Sequence, residues 1–338
     1  MLRSNTIVHG MWIGETLSPL ELLTIKSFVS CGHSFWLWAY DAIQTPLPEG
    51  ALLKDARQVL PETAVFRYQF GNQFGHGKGS LAGFSDIFRY KLLYEYGGWW
   101  ADMDITCLRP LHFEAPYVFR SHDVFPVVGN LMKCPPHSAL MRDCFERASA
   151  LVNEKNTDWL LPIRILNEAI QQQGLSAYIK DISNADRWEQ VQFYTRFLAK
   201  LPDHYYILHW MNEEWRARSL SKNACIRYGL LDTLMTQHAI PITRQLPPDK
   251  LTYARQWLQM KLIPLLPHPL RRWLKALYFV IRRGLSGILR LCILPLIPRN
   301  WKNTIKQRWH ARGSARKMPD TPTTPERAEL LPAESTNH

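Results

Sequence analysis

The chain has 338 residues, of which 46% are hydrophobic and 21% charged. That is enough for one large domain or two modest ones, and it excludes a disordered, collagenous or coiled-coil protein over most of the length. The net charge of +12 is unevenly spread: Leu251 to Lys317 holds fifteen Lys or Arg and no Asp or Glu, and the remainder is slightly acidic. A near-neutral globular domain with a basic C-terminal region is expected, not a uniformly basic nucleic-acid binder.

In chain order, Asn5 to Trp12 reads as a strand and Ser18 to Val29 as a helix, with Ser18 and Glu21 in the spacing of a capping box. Ser34 to Ala39 is a second strand, and the strand–helix–strand opening predicts a parallel α/β sheet. Pro46, Pro48 and Gly50 mark a loop. A glycine-rich loop over 71–80 leads into a helix from about Leu81 to Tyr96, with Leu81, Phe84, Phe88 and Leu92 as its core-facing stripe. Gly97–Gly98 closes that helix, and Trp99 to Asp102 is a buried strand. Helices are expected over Ala139–Ala150 and Ile163–Gln173, and a late strand over Tyr205–Trp210. After about Arg244 prolines recur, and no acid follows Asp249 until Asp320. The expected division is a folded domain over 1–244, basic amphipathic helices over 245–317 and a disordered tail over 318–338.

None of the six cysteines forms a CxxC pair, so reduced, mostly buried thiols of a cytosolic compartment are expected. Met1 to Thr6 is polar, and no secretory leader is expected. No apolar run has the 18 or more residues of a membrane-spanning helix. On a helical wheel, Leu270–Leu294 gathers Arg271, Arg272, Lys275, Arg282, Arg283 and Arg290 on one arc, opposite Leu274, Leu277, Ile281 and Ile288. Such a helix suits the interface of an anionic membrane, which places the protein in the cytoplasm, peripherally bound to the inner face of the plasma membrane. The alternative is a helical hairpin on the folded domain with solvated arginines.

The chemistry concentrates in residues 85–111. Asp102 and Asp104 follow a hydrophobic strand end. Their side chains point the same way if the chain stays extended, and they can still converge on one divalent cation if it turns. Hard oxygen ligands suit Mg²⁺ or Mn²⁺, which in turn neutralise a diphosphate. Asp86 and Arg89 lie three apart on the preceding helix, either as a surface ion pair or as part of the same cleft, since ligands bind beyond the carboxyl ends of strands in open α/β sheets.

The run Ser85-Asp86-x-x-Arg89, then Gly97-Gly98-x-x-x-Asp102-x-Asp104, then Pro110-Leu111, resembles the sugar-nucleotide-binding region of glycosyltransferase family 32, the type of the yeast initiating α-1,6-mannosyltransferase and of capsular polysaccharide synthesis. The large clostridial glucosylating toxins share this local pattern. Ile7–Gly14 resembles the family's opening strand, Leu37, Trp38 and Asp41 its second, and His209, Trp210 and Trp215 its closing element. The resemblance implies a GT-A fold with a Rossmann-like mixed sheet over 1–244, and a metal-dependent hexosyltransferase acting in surface polysaccharide or glycolipid synthesis with retention. The donor it implies is a nucleotide sugar, UDP-hexose or GDP-mannose, and the acceptor a glycan or lipid-linked sugar. It also implies roles. Trp12 stacks on the base; Asp86 and Arg89 hold donor sugar hydroxyls, with the guanidinium near phosphate; Asn130 lies near the donor or acceptor. Asp102 contacts ribose or sugar and helps hold Mn²⁺ or Mg²⁺, Asp104 is the principal ligand, and His209 is a further one. Two departures stand out: the glycine before Pro162 is missing, and Glu214 replaces a serine as a possible metal ligand.

Two rival readings compete. Asp102–Thr106 fits the D-x-D-x-T signature of haloacid-dehalogenase-type phosphatases, but that motif opens its fold and here follows some hundred residues. A non-enzymatic membrane or nucleic-acid-binding protein would use the basic region as an arm, but the region is too apolar for nucleic acid and carries no such motif.

Overall fold

The structure is a computed structural model that describes residues 5–75 and 77–247, with 265 and 267. The helix expected over 270–294 and the tail over 318–338 lie outside the described residues. β1 (Ile7–Trp12) and β2 (Ser34–Ala39) run parallel and are joined by α1 (Pro19–Ser30). The capping box starts α1: the Leu20 N–H donates to Ser18 Oγ (3.3 Å) and the Ser18 N–H to Glu21 Oε2 (2.8 Å). β2 pairs in parallel with β3 (Ala51–Asp55) at the sheet edge. This strand escaped the sequence reading, because an edge strand with largely exposed side chains carries no apolar alternation.

α2 (Ala82–Tyr96) ends at Gly97 (φ 63°), where a Cβ would lie 2.5 Å from Pro136. β4 (Gly98–Ala101) follows, then β5 (Ile105–Cys107), β6 (Val118–Ser121), β7 (Val127–Cys134), α3 (Ala139–Leu151), α4 (Leu161–Gln172) and β8 (Ile179–Lys180). The chain continues through α5 (Trp188–Arg196), β9 (Ile207–His209), α6 (Asn212–Ala217), β10 (Ala224–Ile226), α7 (Leu230–Gln237) and β11 (Arg244–Leu246). A seven-stranded sheet has the order β3-β2-β1-β4-β7-β6-β8. Its first four strands are parallel, and β7 runs antiparallel to both β4 and β6. This mixed sheet between helices is consistent with the expected GT-A type fold.

Both faces of the sheet are covered. Phe84, Phe88, Trp100, Met132 and Leu140 bury one face, and Val8, Phe35, Trp99, Leu131 and Ile207 the other. Each such side chain contributes roughly 1.5–3 kcal/mol by leaving water. Two-sided burial explains why β4 reads as continuous apolar sequence.

One expectation changes, and one of two alternatives falls. The late strand is shorter than Tyr205–Trp210, and β9 pairs antiparallel with β5 in a separate two-stranded ladder. The side of α2 that bears Asp86 and Arg89 does not face solvent: Arg89 is only 4% exposed. The described cysteines are free, and all but Cys31 are buried. Among the described residues no helix is long and apolar enough to cross a membrane.

Candidate functional site

The chain changes sheets at the Asp-x-Asp motif. The Asp102 N–H still donates to the Asn130 carbonyl on β7 (2.8 Å), extending the β4 ladder by one rung. Asp102 to Asp104 then turns, and β5 enters the small ladder with Ile105 opposite His209. The turn gives the two carboxylates different partners, so the extended arrangement does not hold.

Asp102 looks toward α2. Its Oδ1 accepts from Arg89 Nη2 (2.9 Å) and from the Trp100 indole N–H (2.6 Å), and the side chain remains 31% exposed. Arg89 Nη1 pairs with Asp86 Oδ1 (3.0 Å), so the predicted Asp86–Arg89 pair exists, but as a buried one. The guanidinium also lies over the Trp100 ring, 5.2 Å from its centroid. Gly129 on β7 makes room for it, since a Cβ there would fall 2.1 Å from Arg89 Nη1. Burial pushes the Asp86 carboxyl up to about 6, with Arg89 opposing and Asp102 reinforcing the shift. Burial also raises Asp102, again against Arg89.

Asp104 looks toward the small ladder. Its Oδ2 lies 3.2 Å from His209 Nε2 and accepts the Asn212 N–H (2.6 Å). His209 is fixed twice over. Asn184 clamps its backbone, accepting from His209 N–H (2.8 Å) and donating to His209 O (3.0 Å). Asp186 Oδ1 meets its Nδ1 at 2.7 Å, which leaves Nε2 directed at Asp104. Asp186 in turn takes both terminal nitrogens of the buried Arg120 (2.9 and 2.6 Å), and Arg120 Nη1 also donates to Asn130 Oδ1 (3.2 Å). Burial works against a charged imidazole, but Asp186 and Asp104 overcome it and raise His209 to about 10. The mirror effect holds Asp186 well below the usual carboxylate range: burial would raise it, and His209 and Arg120 reverse that.

The other predicted residues lie around this core. Asn130 is 7% exposed, between Asp102 and Arg120. Glu214, on α6, pairs with Arg218 (2.8 Å). Half-buried Trp12 ends β1, donates its indole N–H to the Thr16 carbonyl (3.0 Å) and has the Lys222 ammonium 5.6 Å from its ring centroid. Asp41 Oδ2 accepts the Gly14 N–H (2.7 Å), tying the ends of β1 and β2 together. Trp210 and Trp215 are buried: Trp210 donates to Thr106 Oγ1 (2.8 Å), and Trp215 to the Trp210 carbonyl (2.8 Å). They seat α6 against β5.

A central strand thus delivers two acidic side chains to the sheet's carboxyl edge, one neutralised by arginine and one facing histidine. Residues 68–124 match the family model of the glycosyltransferase sugar-binding region containing the DXD motif. The match supports a glycosyltransferase enzyme. It covers Asp86, Arg89, Asp102 and Asp104 of this glycosyltransferase. Two solved structures are similar in part. The PaToxG glycosyltransferase is 13% identical over 50% of this chain and 68% of its own, with a TM-score of 0.36. A transferase with two cysteine-to-serine mutations is 8% identical over 50% of this chain and 85% of its own, also at 0.36. No curated protein matches.

Sequence reasoning missed Trp100, Arg120, Asn184, Asp186 and Asn212. Only Trp100 and Asn212 adjoin a recognised motif. The Ser183–Asp186 run is an ordinary polar loop until β9 is folded beside it.

Proposed function

We propose that this glycosyltransferase is a divalent-metal-dependent hexosyltransferase of the family 32 kind, moving a hexose from UDP-hexose or GDP-mannose to a glycan or lipid-linked acceptor in surface polysaccharide or glycolipid synthesis. The observation that carries the reading is the Asp104–His209 contact at 3.2 Å. A carboxylate and an imidazole held this close suit Mn²⁺, or Mg²⁺ with more oxygen ligands, with the cation taking the place of the proton that His209 shares with Asp104. The second oxygen of partly exposed Asp102 takes no hydrogen bond among the described residues, so it adds a further donor on the same turn. Asp104 and His209 would hold the cation, with Asp102 a donor on the same turn that does not already converge on them, and the cation's chemistry would be Lewis-acid stabilisation of charge on the leaving nucleoside diphosphate.

The chain's own groups do the rest. Arg89 holds the Asp86 and Asp102 carboxylates in place to accept hydrogen bonds from donor sugar hydroxyls. With its carboxyl at about 6, Asp86 is mostly ionised at neutral pH and fit for that task. Trp12 offers its indole to the base. Asp186 keeps His209 in one ring orientation. We favour retention by front-face attack, in which the acceptor hydroxyl proton passes to the departing phosphate oxygen, because no second carboxylate is assigned as a nucleophile. From its sequence, the basic segment over 245–317 supports attachment to the anionic inner face of the plasma membrane, where a lipid-linked acceptor is within reach.

A screen of sugar nucleotides for Mn²⁺-dependent hydrolysis, with a generic phosphate ester alongside, tests the function. Release of sugar from one donor and no ester turnover is expected. Ester turnover without sugar-nucleotide turnover would favour the phosphohydrolase.

A further inference from the structure

Asp104 and His209 need company to hold a cation, and among the described residues no three His, Cys, Asp or Glu side chains converge as a preformed cage. An oxygen ligand of another kind is therefore called for. Asn212 stands three residues past His209, across Met211, whose backbone is left-handed (φ 57°, ψ 61°). Such a conformation is uncommon for a residue other than glycine and is often kept at functional sites. It delivers the Asn212 N–H to Asp104 Oδ2 at 2.6 Å, so the residue's side chain starts from the edge of the carboxylate–imidazole pair. The Asn212 Oδ1 atom is buried and has no hydrogen-bond partner. A buried acceptor left unpaired is destabilising and calls for a donor or a cation.

Building on the metal-dependent reading above, we infer that Asn212 Oδ1 is the oxygen ligand that joins Asp104 and His209 in the cation site, in place of Glu214. A neutral amide oxygen is a hard ligand suited to Mn²⁺ or Mg²⁺. Glu214 already has the Arg218 guanidinium at 2.8 Å.

The experiment is Mn²⁺ binding to the full chain without donor, followed by the electron paramagnetic resonance of free Mn²⁺, with thermal midpoints as a fold control. The Asn212 N–H is main chain, so every side-chain variant keeps the bond to Asp104. Asn212→Leu should weaken Mn²⁺ at least about tenfold. Asn212→Asp keeps an oxygen and should bind at least as well as wild type. Glu214→Gln should lose much less than Asn212→Leu. Wild-type affinity in Asn212→Leu, an equal loss in Asn212→Asp, or an equal loss in Glu214→Gln would each overturn the assignment. Asp104→Asn separates the two levels. If it loses Mn²⁺ while Asn212→Leu does not, only the Asn212 assignment fails. If wild type binds no Mn²⁺, or Asp104→Asn binds as wild type does, the metal-dependent reading fails with it.

Discussion

Asp186→Asn preserves the side-chain shape and removes one charge from the most connected carboxylate in the site. In the native chain Asp186 faces Arg120 Nη1 and Nη2 at 2.9 and 2.6 Å and His209 Nδ1 at 2.7 Å. The Arg120 side chain is 1% exposed, so water cannot replace the lost partner. Uncovering a buried charge in this way costs about 3–5 kcal/mol. For a folded unit of this size, each kcal/mol moves the Tm by about 2–4 °C, so a fall of roughly 6–20 °C is expected. Differential scanning fluorimetry at pH 7 measures it. Asp181→Asn is the control: its side chain is 72% exposed and 3.5 Å from His204, so its effect should stay within about 0.5 kcal/mol. Replacing Arg120 and Asp186 together by apolar residues should cost less than the two single changes added, because no charge is stranded. A Tm for Asp186→Asn as close to wild type as that of Asp181→Asn would refute the account of this network.

Gly129→Ala puts a Cβ 2.1 Å from Arg89 Nη1 and should dislodge the guanidinium from Asp86 and Asp102. A stability cost of about 1–3 kcal/mol with a disproportionate loss of donor hydrolysis is expected, and unchanged turnover would show that Arg89 is not needed where it sits. His9 is buried as the neutral Nε2–H form, donating to the Gly97 carbonyl (3.2 Å) and accepting from the Trp38 indole (3.1 Å); burial pushes its pKa from 6.5 down to about 3. Its contribution is complete above pH 6.5 and drains away as pH falls toward 3, by about 1.4 kcal/mol per unit, so the Tm should drop more steeply below pH 6.5 in wild type than in His9→Asn; parallel curves would contradict it. The full chain should sediment with anionic vesicles at low salt and be released by high salt with mild detergent. Truncation after Pro247, which keeps β11, should retain donor hydrolysis and lose the vesicles; full-length protein left in the supernatant would dispose of membrane attachment.

The sequence was most legible where local rules act alone. The capping box at Ser18 and Glu21, the Gly97–Gly98 stop and the apolar β4 each declare themselves within a few residues. The two halves of the site were legible to different degrees. Asp86, Arg89, Asp102 and Asp104 sit within one helix–strand unit, so a common cleft was one of the two arrangements their spacing allowed. His209 comes to Asp104 only because β9 pairs with β5, and such long-range pairing leaves no periodic trace. Asp186, Arg120 and Asn184 depend on that pairing in turn, since each is positioned by contacts across distant segments. β3 was missed for another reason: at a sheet edge, exposed side chains erase the alternation that would mark a strand.

The central claim is that Asp104 is the pivot of a cation-assisted glycosyl transfer. Asp104→Asn keeps an oxygen for the Asn212 N–H and removes the charge. With the donor found in the hydrolysis screen and saturating Mn²⁺, its turnover should fall at least about a hundredfold at a temperature where the variant is fully folded, although its Tm also falls because buried His209 loses one of its two carboxylate partners. Near-wild-type turnover in folded Asp104→Asn at saturating Mn²⁺ would contradict the account.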